Sequence, residues 1–233
     1  MISIPLYLDT EHDCSYLTEH KSQFAYIHPE FQLTTKTYSQ LIEQGFRRSG
    51  SHVYQPYCKN CQKCVPARLA VNDFQASRQQ RRTNKKNTDL HVIIKPAQFE
   101  QAHFELYQTY QRNRHASGAM ADTNAKDYIS FLSSDWCNTL FVEFSCSGEL
   151  VGIAVVDLLD NALSAVYTFF DPKFSQRSLG VYAVLWQIEH AKTLGLEWLY
   201  LGYWIADCQK MSYKINYQPL QGLIDHQWQM IKK

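Results

Sequence analysis

Nowhere in the 233 residues does an apolar run approach the length needed to span a bilayer. The N-terminus, MISIPLYLDTEHDC, lacks both the basic n-region and the adequate apolar h-region of a secretory signal. Neither a membrane span nor export is expected, and the reading is a cytoplasmic protein. Net charge is nearly absent too: 23 Lys and Arg face 22 Asp and Glu, a formal +1. No global field draws nucleic acid to such a chain, so an anionic partner must be held by a local basic patch. Internal repeats, low-complexity tracts and long linkers are missing. The seven cysteines are an odd set, which in a reducing compartment points to thiols or metal ligands rather than a disulfide framework.

What is present suffices for an enzyme-sized interior. With 45% apolar residues the chain can bury a sizeable core, as one large domain or two small ones. Residues 1–74 read as a compact, irregular module. In it, YSQLIEQGFRRSG sets Leu41, Ile42 and Phe46 at helical spacing and ends in Gly50. SHVYQPY then reads as extended chain, followed by the cysteine knuckle YCKNCQKC and an alternating strand, ARLAVNDF.

Residues 75–233 read as a second domain. SRQQRRTNKKN opens with a capping-box signature, Ser77 to Gln80, and places Arg78, Arg81, Arg82 and Lys85 in one stripe of a helix. Cations in a first turn oppose the helix dipole, so the stripe asks for an anionic partner unless it is a solvated face. Downstream come the strand LHVIIK, helices through FELYQTYQRNRH and AKDYISFLS, three strands, a long helix through SLGVYAVLWQIEHAKTLG and the strand EWLYLGYW. A β-α-α-β-β-β-α-β order matches the acetyltransferase fold of the general control N-acetyltransferases. The fold class expected is therefore α/β (α+β), a GNAT-like mixed sheet with flanking helices plus a small N-terminal module.

Cys58, Cys61 and Cys64 stand at two consecutive three-residue steps. With Cys14 or His52 they could complete four ligands for structural zinc or an iron–sulfur cluster. A structural zinc site, however, usually brings a second, well-separated Cys-x-x-Cys arm, which is missing here. The reading taken is a reduced, packed knuckle, with no cofactor required.

YQPYCKNCQKCVPARLAVNDFQASRQQRR, YQRNRHASGAM, YTFFDP, SLGVYAVLWQIEHAKTLGL and YLGYWIADCQKMSYKINYQP, in that order, resemble the bacterial aspartate/glutamate leucyltransferases, relatives of the arginyl-tRNA–protein transferases. The resemblance runs from about Cys14 to Pro219. It implies transfer of leucine from leucyl-tRNA to the α-amine of proteins beginning with Asp or Glu, which marks them for degradation. There are departures: the arginyl relatives pair two cysteines where Cys14 stands alone, with Leu17 at the second place, and carry adjacent cysteines where this chain spaces three.

Such chemistry starts from an activated ester and needs register and oxyanion stabilisation more than a triad, and no triad is visible. Carboxylate and phosphate both call for cations, and Arg78, Arg81, Arg82, Arg114, Lys210 and Lys214 are assigned jointly to the acceptor carboxylate and the tRNA phosphates. Tyr110, Tyr203 and Trp204 are available to stack terminal bases. Arg177, Ser178 and Gly180 form the loop that in coenzyme-A enzymes meets pyrophosphate, but Tyr182 stands where a small residue is expected. Candidate bases are Asp171, which a following proline also suits to a turn, and His115. An arginine donor would demand a buried acid, such as Glu143 or Asp157. The alternatives are an arginyl donor, a coenzyme-A-dependent N-acetyltransferase and a non-enzymatic RNA-binding protein with a metal knuckle.

Overall fold

A computed structural model describes residues 3–114 and 123–232. In chain order, β1 (Leu6–Leu8), β2 (His12–Asp13), β3 (Lys21–Ser22) and β4 (Phe24–Ile27) lead to α1 (Thr35–Glu43), β5 (Arg47–Ser49), β6 (His52–Pro56) and β7 (Val65–Ala70). Next come α2 (Arg78–Lys86), β8 (His91–Pro96), α3 (Gln101–Arg114), α4 (Ala125–Leu132), β9 (Thr139–Cys146), β10 (Glu149–Leu158) and β11 (Ala162–Phe170). A short 3₁₀ turn (Pro172–Arg177) leads into α5 (Leu179–Thr193), then β12 (Trp198–Trp204), α6 (Gln209–Ser212), a second turn (Tyr213–Asn216), β13 (Leu220–Ile224) and β14 (Gln227–Met230).

The central sheet has eight strands in the order β14-β13-β7-β12-β11-β10-β9-β8. Its pairings are antiparallel except β11 with β12, the one connection that requires a long crossover, which α5 supplies. Side chains alternate across the strands. Val142, Phe144, Ala154, Val156 and Leu163 meet Leu179, Ala183, Val184, Leu185 and Ile188 of α5 on one face. Phe141, Ile153, Val155 and Phe169 meet Phe104, Tyr107, Tyr128 and Leu132 of α3 and α4 on the other. Full burial of such side chains stabilises by roughly 1.5–3 kcal/mol each, which makes this three-layer packing the main source of cohesion.

The first 74 residues are not all set apart from that sheet, since β7 lies between β13 and β12. The rest of the N-terminal stretch forms a four-stranded antiparallel sheet, β1-β4-β6-β5, with β2 and β3 pairing separately. One boundary differs from the sequence reading. The helix expected to run to Gly50 stops at Glu43: Gly45 adopts φ +93°, its N–H donates to Ile42 O, and Phe46 N–H donates to Leu41 O. That is a glycine-terminated helix end, and it frees Arg47 and Arg48 to enter β5 with side chains on opposite faces. Gly50 has a different job, at the tight turn into β6 (φ +58°), where a Cβ would collide with Ser130 O.

Candidate functional site

The parallel pair β11/β12 holds together for only three residues, Ala162↔Trp198, Leu163↔Leu199 and Ser164↔Tyr200. Beyond these, β11 stays with β10 as far as Phe170↔Gly152, while β12 stays with β7 as far as Trp204↔Val65. The strands part where the β12 register shifts between Tyr200 and Gly202. A fork of this kind leaves facing backbone groups without each other, available to a ligand or to inserted side chains.

Arg47 is the inserted side chain. Its Nη1 donates to Ser164 Oγ at 3.0 Å and its Nη2 to Ala165 O at 2.8 Å, so it bridges to β11 at the point of divergence. On the β12 side it lies over Gly202 (φ +76°), where a Cβ would stand 3.4 Å from Nη2. Arg47 is buried. Arg48, on the opposite face, is buried against Asp157: Nε reaches Oδ2 at 2.7 Å and Nη2 reaches Oδ1 at 2.5 Å, with Thr139 Oγ1, Leu132 O and Gly50 O accepting from its other N–H groups.

Lys214 reaches the fork from the Tyr213–Asn216 turn. Its ammonium donates to Tyr203 O of β12 and lies 3.5 Å from Met211 Sδ. Burial, and then the charge of Arg47, push its pKa down to about 7. Tyr203 is itself buried and donates its hydroxyl to Gly45 O at 3.0 Å, and Trp204 Nε1 donates to Ser212 O at 3.3 Å. At the β11 lip, Gln111 Nε2 donates to Tyr167 Oη at 3.0 Å, and Tyr110 packs on Phe170 at 5.2 Å. Tyr110 also meets Tyr167 edge-on at 6.5 Å, so the end of α3 and β11 converge. Buried cationic groups can receive an anion that arrives with a ligand, and unpaired backbone N–H groups beside them can stabilise a developing oxyanion.

The residues expected from the sequence are distributed more widely. The α2 capping box is present, Gln80, Thr83 and Asn87 are buried, and Arg78, Arg81, Arg82 and Lys85 are exposed. Lys210 is exposed on α6, whereas Lys214, four residues on, is buried. Of the aromatic residues expected to stack bases, Tyr110 and Tyr203 are buried and Trp204 is half-buried. Asp171 caps its own turn through Lys173 N–H at 2.8 Å. His115 lies outside the described residues. In the loop before α5, Arg177 is clamped by both carboxylate oxygens of Asp89 at 2.8 Å, and that guanidinium holds the Asp89 carboxyl down at about 2. Ser178 takes φ +55°, a Cβ added at Gly180 would touch Phe170 at 3.6 Å, and Tyr182 packs on Phe144 at 5.4 Å. Three residues of the fork, Arg47, Gln111 and Tyr167, were not singled out from the sequence. For Arg47 the helix pattern concealed the signal, a Gly45 two residues before it.

Cys14, Cys58, Cys61 and Cys64 line one cavity of about 80 Å³ with Leu17, Phe24 and Pro56. Among the described residues, no three cysteine sulfurs come within 4.8 Å of one another, whereas tetrahedral thiolates on zinc stand about 3.8 Å apart. Burial and the surrounding thiols push the Cys64 thiol up to about 12. Behind them, Met211, 3.5 Å from Lys214 Nζ, packs in one cluster with Cys61, Cys64 and Cys208, so the knuckle backs onto the wall of the fork. The described trio that does converge, Glu100, His103 and Glu143, already holds Lys95, 2.6 Å from Glu143 and 2.9 Å from Glu100. Among the described residues no helix is long and apolar enough to cross a membrane.

Two family descriptions match the chain: arginine-tRNA-protein transferase, N terminus, over residues 12–82, and the C terminus of the same family over residues 102–224. The aspartate/glutamate leucyltransferase of Marinobacter nauticus is 48% identical over 93% of this chain and 92% of its own length. The enzyme of that name from Pseudomonas fluorescens is 47% identical over 97% and 96%. Among solved structures, the C-terminal domain (DUF2156) of a putative lysylphosphatidylglycerol synthetase from Agrobacterium fabrum superposes with a TM-score of 0.46 at 10% identity, over 62% of this chain and 48% of that one. With both halves of the family matched and relatives identical at nearly half their positions, this chain belongs to the arginine-tRNA-protein transferase family, among the members called aspartate/glutamate leucyltransferases.

Proposed function

We propose that this protein transfers leucine from leucyl-tRNA to the N-terminal α-amine of proteins beginning with Asp or Glu, marking them for degradation. The kinship along nearly the whole chain carries this reading. The neutral amine attacks the ester carbonyl, the bond to the tRNA ribose oxygen breaks, and the proton lost by nitrogen goes to that oxygen. A free α-amine is roughly a tenth or more neutral at pH 7, so the step needs positioning and charge stabilisation more than a strong base. The fork between β11 and β12 is where we place it, and its divergence across the α5 crossover supports the acetyltransferase-like reading of the sheet.

Leucine is favoured over arginine as donor because both acids that could receive a guanidinium are engaged: Asp157 by Arg48, Glu143 by His103 and Lys95. Arg78, Arg81, Arg82 and Lys210, exposed and cationic, suit the tRNA backbone. Coenzyme A is disfavoured by the Asp89 clamp on Arg177. The cysteine knuckle is read as packing, with no cofactor required for transfer. Protein purified under reducing, anaerobic conditions without chelator should carry no stoichiometric zinc or iron, and metal at one per chain would reverse that. Incubation with leucyl-tRNA and a peptide beginning with Asp or Glu should add one leucine by mass. Absence of transfer from leucyl-tRNA overturns the leucyl reading, and transfer from arginyl-tRNA instead selects the arginyl one.

A further inference from the structure

Arg47 and Lys214 are both buried, and neither has an ion-pairing Asp or Glu among the described residues. Asp157 and Glu143, the buried acids of the sheet, are engaged elsewhere. A buried cation without a counter-charge is costly to a fold, and its retention calls for an anion that arrives with a ligand. Of the five N–H donors of the Arg47 guanidinium, Ser164 and Ala165 take two.

We propose that Arg47, with Lys214 beside it, receives the side-chain carboxylate of the acceptor protein's first residue in the fork between β11 and β12. This rests on the leucine-transfer reading and names the part of the fork that selects the acceptor. A carboxylate is planar and small and matches a guanidinium bidentately. A phosphodiester carries a sugar on each side, and a site whose two cations are buried admits a slender side chain more readily than a nucleic-acid strand. Because Arg47 also holds Ala165 O where the strands part, a carboxylate seated on it leaves the attached α-amine along the open fork, beside the position proposed for the ester carbonyl. The α2 cations, on an exposed helix, are left for the tRNA.

The test uses the full chain, leucyl-tRNA and matched peptides beginning with Asp or Asn, and with Glu or Gln. The wild type should prefer acid over amide by roughly 10- to 100-fold in kcat/KM, the worth of hydrogen bonds to a charged group. R47Q should raise KM for the Asp peptide by a similar factor, leave KM for leucyl-tRNA unchanged and abolish the preference. R47K should fall between, because an ammonium cannot bind bidentately, and K214M should weaken the preference by several-fold. Should R47Q fail to fold, as read by circular dichroism, R47K and K214M decide the matter by the same ratio. Acid preference unchanged in these variants overturns the proposal. So does a raised KM for leucyl-tRNA with the preference intact, which would give Arg47 to a phosphate. A wild type inactive on every acidic peptide instead overturns the leucine-transfer reading itself.

Discussion

Arg47 and Arg48 are neighbours on one short strand, both buried, and they belong to different regions of the molecule. Arg48 lies in a closed site where Asp157, Thr139 and two backbone carbonyls satisfy it, and both side chains of the ion pair are fully buried. Arg47 lies in the fork, with a hydroxyl, a carbonyl and no acid of its own among the described residues. The difference separates two uses of the same side chain: a charge neutralised within the chain holds the fold together, and a charge left without a partner is available to a ligand.

That contrast can be broken by removing each charge in turn. Arg48→Ala should be the most damaging, because it strands Asp157 as an unpaired buried carboxylate; about 3–5 kcal/mol should be lost from the urea unfolding free energy. A loss under about 1 kcal/mol would mean that the pair is not structural.

Lys214 supplies the next largest effect, through pH. Below about 7 it is protonated in folded and unfolded chains alike and contributes no slope. Between 7 and its ordinary value of 10.5, the unfolded chain binds the proton and the folded chain does not, so stability rises with pH. The wild type should therefore gain on K214M by up to about 1.4 kcal/mol per pH unit between about pH 7 and 9. The groups whose charges act on Lys214, Arg47, Cys64 and Cys208, are present in both proteins and drop out of the difference. Parallel stability curves for the two proteins would refute the depressed ammonium.

Smaller still, Arg47→Met should change stability by no more than about 1 kcal/mol in either direction, since it removes an unpaired buried charge together with two hydrogen bonds. A cost equal to that of Arg48→Ala would erase the distinction between the two sites. Reversing Arg78, Arg81 and Arg82 to Glu should leave unfolding within about 0.5 kcal/mol, because these side chains are exposed. It should nonetheless weaken leucyl-tRNA binding and flatten the dependence of log K on log salt, measured by filter binding across a KCl series, by roughly 0.7–0.9 for each tRNA phosphate that is no longer neutralised.

Much of the fold could be read locally. The strands β9 to β12, the apolar face of α5 and the Ser77–Gln80 capping box are encoded at separations of a few residues, and the structure carries them as expected. The end of α1 is misplaced in the sequence reading because RRSG extends a helical pattern that Gly45 has already terminated. That single boundary hid the fork: Arg47 read as a helix tail is one more exposed cation, whereas in β5 it is carried 117 residues along the chain to Ser164. Lys210 and Lys214 look equivalent in CQKMSYK, and only packing against β12 separates an exposed ammonium from a buried one.

The sequence by itself determined the family, the alternation of strands and helices and the placing of a basic face on α2, because each is written in contiguous residues and their periodicity. The tertiary structure alone decided which cations are neutralised, where β11 and β12 separate and what the cysteines face. Those are matters of which distant side chains share a low-dielectric interior. Charge pairing there depends on distance in space, which residue spacing along the chain does not record.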